Sequence, residues 1–253
     1  MLKYAGGTAA NRTQALISAA LGWAVSEGII EINPALGIKK RVEEVQRDRE
    51  LTEYEIRRIW HATLTLPDKV GPQIGRVIRL LLITGQRRSE VCQAERSEIT
   101  GELWTIPKER TKNKIEHEVP LTRVALAALR AATAECAWSP FVFQARLRIP
   151  KAMKPTTPSA AFAEMMRDLD IDNVVLHDLR HVAATEMARM GVPLDIRPQV
   201  QNQITGRKQS IGARYDQYDY ALEKQRALRL WAIRLNDIVC GKVQKNRCAG
   251  MPE

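Results

Sequence analysis

The spacing of the apolar residues changes twice between Thr52 and Ala134, and this limits the fold more than any other feature. Ile56, Ile59 and Trp60, then Ile74, Val77, Ile78, Leu81 and Leu82, recur at the three-to-four interval that gives a helix one apolar face. Leu103-Trp104-Thr105-Ile106 and Ile115 to Val119 read instead as two strands around a polar, basic turn region at 108–114. Helical spacing then returns over about 123–134. The boundaries carry their own chemistry. Thr52 and Glu55 form a T-x-x-E capping box, Pro72 suits a first helical turn, Gly85 can end a helix in the left-handed conformation, and Thr122 can cap the next start. The expectation is a mainly α chain with a small antiparallel β-sheet, an α+β fold.

The flanks extend this pattern. A helix is expected over about 11–28, with Leu16, Ala20 and Trp23 on one buried face, ended by Asn33-Pro34. A buried face so early suggests a chain lacking its N-terminal part or, alternatively, a short helical arm complete in itself. Residues 37–50 are mostly charged and read as a linker. The division expected is therefore 1–46 and 47–253. Residues 144–158 read as a basic loop with three prolines, followed by a short helix at 159–168. A helix over about 177–190 is stopped by Gly191 and Pro193. Residues 194–203 look helical if Pro198 lies in the first turn. A polar loop spans 206–212, and a final helix at about 220–239 places Leu222, Leu228, Trp231, Leu235 and Ile238 mainly on one side.

With 39 Lys+Arg against 29 Asp+Glu in 253 residues, the formal charge is +10, which suits a polyanionic partner and equally a basic protein with no such role. The basic residues cluster at Lys39-Lys40-Arg41, Arg47 with Arg49, Arg87-Arg88, and Lys108, Arg110, Lys112 and Lys114. Cys92, Cys136, Cys240 and Cys248 have no C-x-x-C spacing and read as reduced thiols of a cytosolic protein. His61, His117, His177 and His181 lack the spacing of a metal site. No apolar run has the length of a membrane span, and no signal peptide is evident.

Three stretches offer chemistry for a phosphodiester. His177 and Arg180 lie three apart on a helix and share a face, so an anion-gripping guanidinium and a proton-holding imidazole can point into one cleft. Arg87 opens a helix after the Gly85 turn, with Glu90 close enough to orient a guanidinium. A lysine on the 108–114 hairpin can reach a nucleic-acid backbone. Each stretch taken alone reads as well, or better, as packing residues, solvated arginines and a solvated loop.

Taken in order, these stretches resemble the tyrosine recombinases, and among them the phage and prophage integrases. Thr84-Gly85-Gln86-Arg87-Arg88-Ser89-Glu90 resembles the family's T-G-x-R-x-x-E box. Lys112, seven residues before Val119-Pro120-Leu121, matches its hairpin lysine. His177-Asp178-Leu179-Arg180 resembles its H-x-L-R box. Tyr215-Asp216-Gln217-Tyr218-Asp219-Tyr220, before the helix bearing Trp231, resembles the integrase Y-x-R-x-x-Y segment. The resemblance covers about 47–240, and residues 1–36 look like the end of the preceding core-binding domain. One position departs: Gln203 stands where the family usually has His or Trp. Glutamine can donate a hydrogen bond but cannot carry charge or move a proton near neutral pH.

The resemblance implies the recombinase catalytic-domain fold, with catalytic residues Arg87, Lys112, His177, Arg180, Gln203 and the nucleophile Tyr215. It implies no cofactor and no metal. The implied partner is double-stranded DNA at attachment sites, contacted also by Arg88, Lys114, Lys39, Lys40 and Arg41. A homo-tetramer on DNA is implied, with a monomer possible without it, no membrane, and a cytoplasmic, nucleoid-associated location. Three alternatives stand beside it: strand relaxation like a type IB topoisomerase, DNA binding without catalysis, and a metal-dependent nuclease, which the absence of clustered carboxylates near the basic motifs argues against.

Overall fold

Helix α3 (Pro72–Thr84) is the axis around which the larger unit is built. Its spacing predicts an amphipathic helix, yet Ile74, Val77, Ile78, Leu80, Leu81, Leu82 and Ile83 are all buried. A helix apolar on nearly every side must be enclosed by other elements. In the computed structural model it packs against α5 (Arg123–Glu135), α6 (Thr156–Asp168), α7 (Asp178–Arg189) and α9 (Ala221–Cys240). Gly75 allows the close approach behind it, since a Cβ there would lie 2.2 Å from the Thr63 carbonyl oxygen.

The structure describes residues 6–43, 49–66, 71–145, 150–203 and 218–242. They fall into two compact units, Met1–Asp48 and Arg49–Glu253. The first holds α1 (Gly7–Ser26) and a returning loop. Here the expected buried face is not found: Leu16 is 73% exposed, Trp23 is 60% exposed, and Ala20 is also exposed. The side of α1 turned to its own unit is polar instead. Asn11 Nδ2 donates to the Val42 carbonyl at 2.9 Å, and Asn11 Oδ1 accepts from the Arg41 amide at 2.8 Å. Gln14 donates to the Ile38 carbonyl, and Asn33 Nδ2 donates to the Ser18 carbonyl at 2.9 Å. The inward side is marked by hydrogen bonds between α1 and the loop together with the buried Ala10, not by Leu16 and Trp23.

In the second unit the predicted elements form with small shifts. Helix α2 (Glu53–Ala62) starts with the full Thr52–Glu55 capping box. The left-handed Gly85 (φ 64°) ends α3, and Arg87 begins the short α4 (Arg88–Cys92). A 3₁₀ turn (Arg96–Glu98) leads into a three-stranded antiparallel sheet of β1 (Ile99–Thr100), β2 (Leu103–Ile106) and β3 (His117–Pro120). Trp104 pairs with Val119 and Ile106 with His117 across β2 and β3. The third strand is not evident in the apolar spacing because two residues are too few to show a period. Thr122 caps α5 as expected. Helix α6 begins at Thr156, inside the predicted basic loop. Helix α8 (Ile196–Val200) is shorter than expected, with Pro198 in its first turn.

Helix α9 closes this unit over its own core. Ala227, Leu228, Trp231, Leu235 and Ile238 are buried, whereas Leu222 is 58% exposed. Trp231 Nε1 donates to the Leu82 carbonyl at 2.8 Å, pinning α9 to α3. Arg234 bridges α9 to Glu186 of α7 at 3.1 Å and to Glu53 of α2. Cys92 is buried beside this core, and burial pushes its thiol up to about 12, so it is inert. Cys136 and Cys240 are also free thiols; Cys248 lies outside the described residues.

Candidate active site

The four residues from Val200 to Gln203 gather the motifs that the sequence keeps far apart. Helix α8 ends there, and Asn202 adopts the left-handed conformation (φ 49°), which asparagine tolerates better than most residues. Arg180, one turn into α7 and only 3% exposed, donates from Nη1 to the Gly85 carbonyl at 2.9 Å and from Nη2 to the Gln201 carbonyl. Gln201 answers by donating its Nε2 to the Arg180 carbonyl at 2.7 Å. Arg87 Nη2 donates to the Asn202 carbonyl at 2.7 Å. Both guanidinium groups thus grip adjacent carbonyls of one turn.

Glu90 sets the Arg87 side chain, as their spacing predicts. Its carboxylate is buried, accepts the Arg87 amide at 2.9 Å and pairs with Nη1 at 2.9 Å. A buried carboxylate held by two donors is satisfied. Burial, then the charge of Arg87, lowers the Arg180 pKa to about 10, with Glu90 opposing. Arg180 is therefore still cationic at neutral pH. Arg88 points elsewhere and donates to Ser159 Oγ of α6.

Beneath the turn lies a second layer that the sequence analysis missed. The Val200 carbonyl accepts Gln86 Nε2 at 2.8 Å and lies 3.2 Å from His117 Nε2, so His117 carries its proton there. His117 occupies a buried position on β3, where burial and the nearby Lys224 push its pKa down to about 3. Lys224 of α9 is also buried and donates to the Glu118 carbonyl at 3.1 Å. The signal available was a histidine in register with the inward-facing Ile106; apolar periodicity alone cannot weigh it.

Lys112 is exposed on the loop between β2 and β3. The loop is ordered from within: the Thr111 hydroxyl donates to the Ile115 carbonyl at 2.8 Å, with the Lys108 carbonyl also within reach at 3.1 Å. Lys114 (φ 58°) is exposed on the same loop. Next to Lys112, the Asn113 amide pairs reciprocally with that of Asn202, at 2.5 and 3.3 Å. The loop therefore reaches the turn held by both arginines.

His177 is the N-cap residue of α7, exposed, with its ring edge-to-face on His181 at 5.1 Å. Partial burial, then His181 and Arg180, lower its pKa, favouring the neutral ring. Gln203 donates its Nε2 to Gln201 Oε1 at 3.0 Å, so its amide belongs to the same knot. Tyr215 lies outside the described residues. Tyr218 and Tyr220 stack edge-to-face at 4.9 Å at the start of α9. Lys39, Lys40 and Arg41 are exposed in the first unit. Among the described residues no group of three or more His, Cys, Asp or Glu is placed to hold a metal ion, and no helix is long and apolar enough to cross a membrane.

Residues 49–216 match the model of the phage integrase family. Prophage integrase IntA of Escherichia coli is 25% identical over 215 residues, which cover 83% of this chain and 50% of that protein. The putative protein IntB of the same species is 28% identical over 238 residues, 88% of this chain and 59% of that one. The chain therefore spans about half the length of the curated relatives it matches. The fold is that of a lambda integrase (75–356) dimer bound to a COC′ core site, with a TM-score of 0.63, 19% identity, and coverage of 79% of this chain and 73% of that one. It is also that of the Tn1549 transposon integrase (82–397) in complex with circular intermediate DNA, with a TM-score of 0.62, 15% identity, and coverage of 80% and 73%. With the family model covering more than half of its residues, this chain belongs to the phage integrase family, the tyrosine recombinases of phage integrase type.

Proposed function

We propose that this chain is the catalytic part of a site-specific DNA recombinase that cuts and rejoins strands through a 3′-phosphotyrosine. The observation that carries the reading is the convergence of Arg87 and Arg180 on the 201–202 turn, with the lysine loop tied to the same turn. Two fixed cations beside a proton donor are what a phosphoryl transfer needs, because its barrier is lowered by positioning and by charge stabilisation at the phosphoryl oxygens.

In this reading the Tyr215 phenol oxygen attacks the scissile phosphorus as the bond to the 5′-oxygen breaks. Arg87 and Arg180 bind the non-bridging oxygens. Lys112 gives a proton to the leaving 5′-oxygen. His177, neutral at physiological pH, hydrogen-bonds the phosphate and takes part in removing the phenol proton. Gln203 donates at most one hydrogen bond. The phosphotyrosine keeps the bond energy of the phosphodiester, so a 5′-hydroxyl can reseal it without ATP. Attack by a second strand is recombination; attack by the original strand is relaxation.

The prophage integrase among the relatives and the DNA bound in the similar structures support a duplex-DNA partner. One similar structure is a lambda integrase tetramer bound to a Holliday junction, which supports a homo-tetramer on DNA for this chain. Residues 1–46 are read as the end of a core-binding domain and the linker that follows it, with Lys39, Lys40 and Arg41 contacting DNA, as do Arg88 and Lys114. The location proposed is the bacterial cytoplasm.

One observation favours DNA binding without catalysis: Gln203 stands in the His/Trp position and its amide is already engaged by Gln201. The deciding experiment uses a nicked suicide duplex chosen by footprinting on the genomic DNA flanking the coding sequence. The wild-type chain is expected to form a covalent adduct, insensitive to EDTA, that Tyr215→Phe abolishes. Salt-sensitive binding with no adduct, or an adduct that survives Tyr215→Phe, overturns the catalytic reading.

A further inference from the structure

A general acid on a lysine needs help with placement. The side chain has a flexible four-carbon stem, and proton transfer requires the amine within hydrogen-bond reach of the leaving oxygen. Lys112 sits on the loop joining β2 to β3, with no regular structure of its own to fix its height above the site. Its neighbour supplies an attachment. Asn113 Nδ2 donates to Asn202 Oδ1 at 2.5 Å, and Asn202 Nδ2 donates back to Asn113 Oδ1 at 3.3 Å. A reciprocal amide pair is directional at both ends, so it fixes orientation as well as distance.

Asn202 is bound twice over. Its carbonyl accepts Arg87 Nη2 at 2.7 Å while its side chain holds Asn113. One residue therefore links an arginine of the pocket to the loop that carries the lysine. Its backbone is left-handed (φ 49°). From this geometry we infer that Asn113 and Asn202 are positioning residues, a latch that sets Lys112 over the scissile phosphate by tying its loop to the turn gripped by Arg87 and Arg180.

The inference rests on the reading of Lys112 as general acid given above, and one pair of substrates tests both. The probe is the footprint-selected nicked duplex with either oxygen or sulfur bridging the scissile phosphorus to the 5′-carbon. A thiol has a pKa of about 8.5 and leaves as thiolate without a donated proton, so only the oxygen substrate needs the acid. Lys112→Ala is expected to slow adduct formation on oxygen about a hundredfold and on sulfur little. Asn113→Ala is expected to slow it on oxygen about tenfold, to leave sulfur within about twofold, and to leave duplex affinity unchanged. Asn202→Gly keeps the left-handed backbone and the carbonyl that Arg87 holds, and is expected to behave like Asn113→Ala. The double variant should be no slower than either single one, because both remove one interaction.

If Asn113→Ala and Asn202→Gly slow both substrates equally, or neither, while Lys112→Ala discriminates between them, the latch is wrong and the general acid stands. If Lys112→Ala itself does not discriminate, the assignment of the acid fails and the latch falls with it.

Discussion

The larger unit has two interiors, and they are built by different rules. Around α3 and α9 the side chains are apolar and enclosed, as with Leu80, Leu82, Trp231 and Ile238. Around the turn at 200–203 they are polar and equally enclosed: Gln86, Glu90, His117, Arg180, Gln201 and Asn202. The first interior gains from removing hydrocarbon from water, and it tolerates small shifts because that gain has no direction. The second gains only when every donor meets its acceptor, since a buried polar group left alone costs more than a satisfied one returns. The apolar interior makes the unit stable; the polar one fixes where two arginines and a lysine loop stand.

Substitutions should separate the two. Trp231→Ala removes a fully buried ring and its bond to the Leu82 carbonyl, and should cost about 3–5 kcal/mol in a denaturant titration. A loss below about 1 kcal/mol would mean that α9 does not close the unit as described. Arg180→Met keeps the bulk of the side chain but strips the Gly85 and Gln201 carbonyls of their donors. It should cost about 2–4 kcal/mol and abolish adduct formation, whereas an unchanged melting temperature would show the polar interior to be dispensable for stability.

His117 gives the comparison a pH axis. Its folded pKa is depressed to about 3, so the unfolded chain takes up a proton near pH 6.5 that the folded chain refuses. Stability should therefore fall as pH drops from about 6.5 towards 3, by at most about 1.4 kcal/mol per pH unit from this group. His117→Gln should flatten that slope in urea titrations; an identical slope would show that His117 is not the source of the pH dependence. The smallest effect is expected in the first unit. Trp23→Ser on the exposed side of α1 should change stability by no more than about 0.5 kcal/mol, and a larger loss would show that this face is covered.

The two interiors also differed in how far they could be read from the residues. The Thr52–Glu55 box, Pro72, Gly85 and the spacing of Ile74 to Leu82 each act locally, so α2 and α3 are legible in the sequence. Trp104 and Val119 alternate clearly enough to show a strand pair. The motif residues were legible only because Arg87, Lys112 and Arg180 occur in an order shared with a family; nothing in their spacing says that they meet. Asn113 with Asn202, and Gln86 with the Val200 carbonyl, join residues 89 and 114 positions apart, and short polar side chains leave no period to reveal such pairs. Helix α1 misled in the opposite direction. Its apolar stripe is real, but the loop returning along it offers carbonyls to Asn11 and Gln14 rather than hydrocarbon to Trp23.

That the polar interior holds its guanidinium groups against the charge of one phosphate follows from the proposed mechanism. It is tested most directly with Arg87→Ala on two nicked duplexes, one with an ordinary scissile phosphate and one with a methylphosphonate, which lacks the negative charge. The variant should lose adduct formation on the phosphate and regain much of it on the methylphosphonate. An equal loss on both would show that Arg87 does not neutralise the phosphate, and would contradict the proposed mechanism.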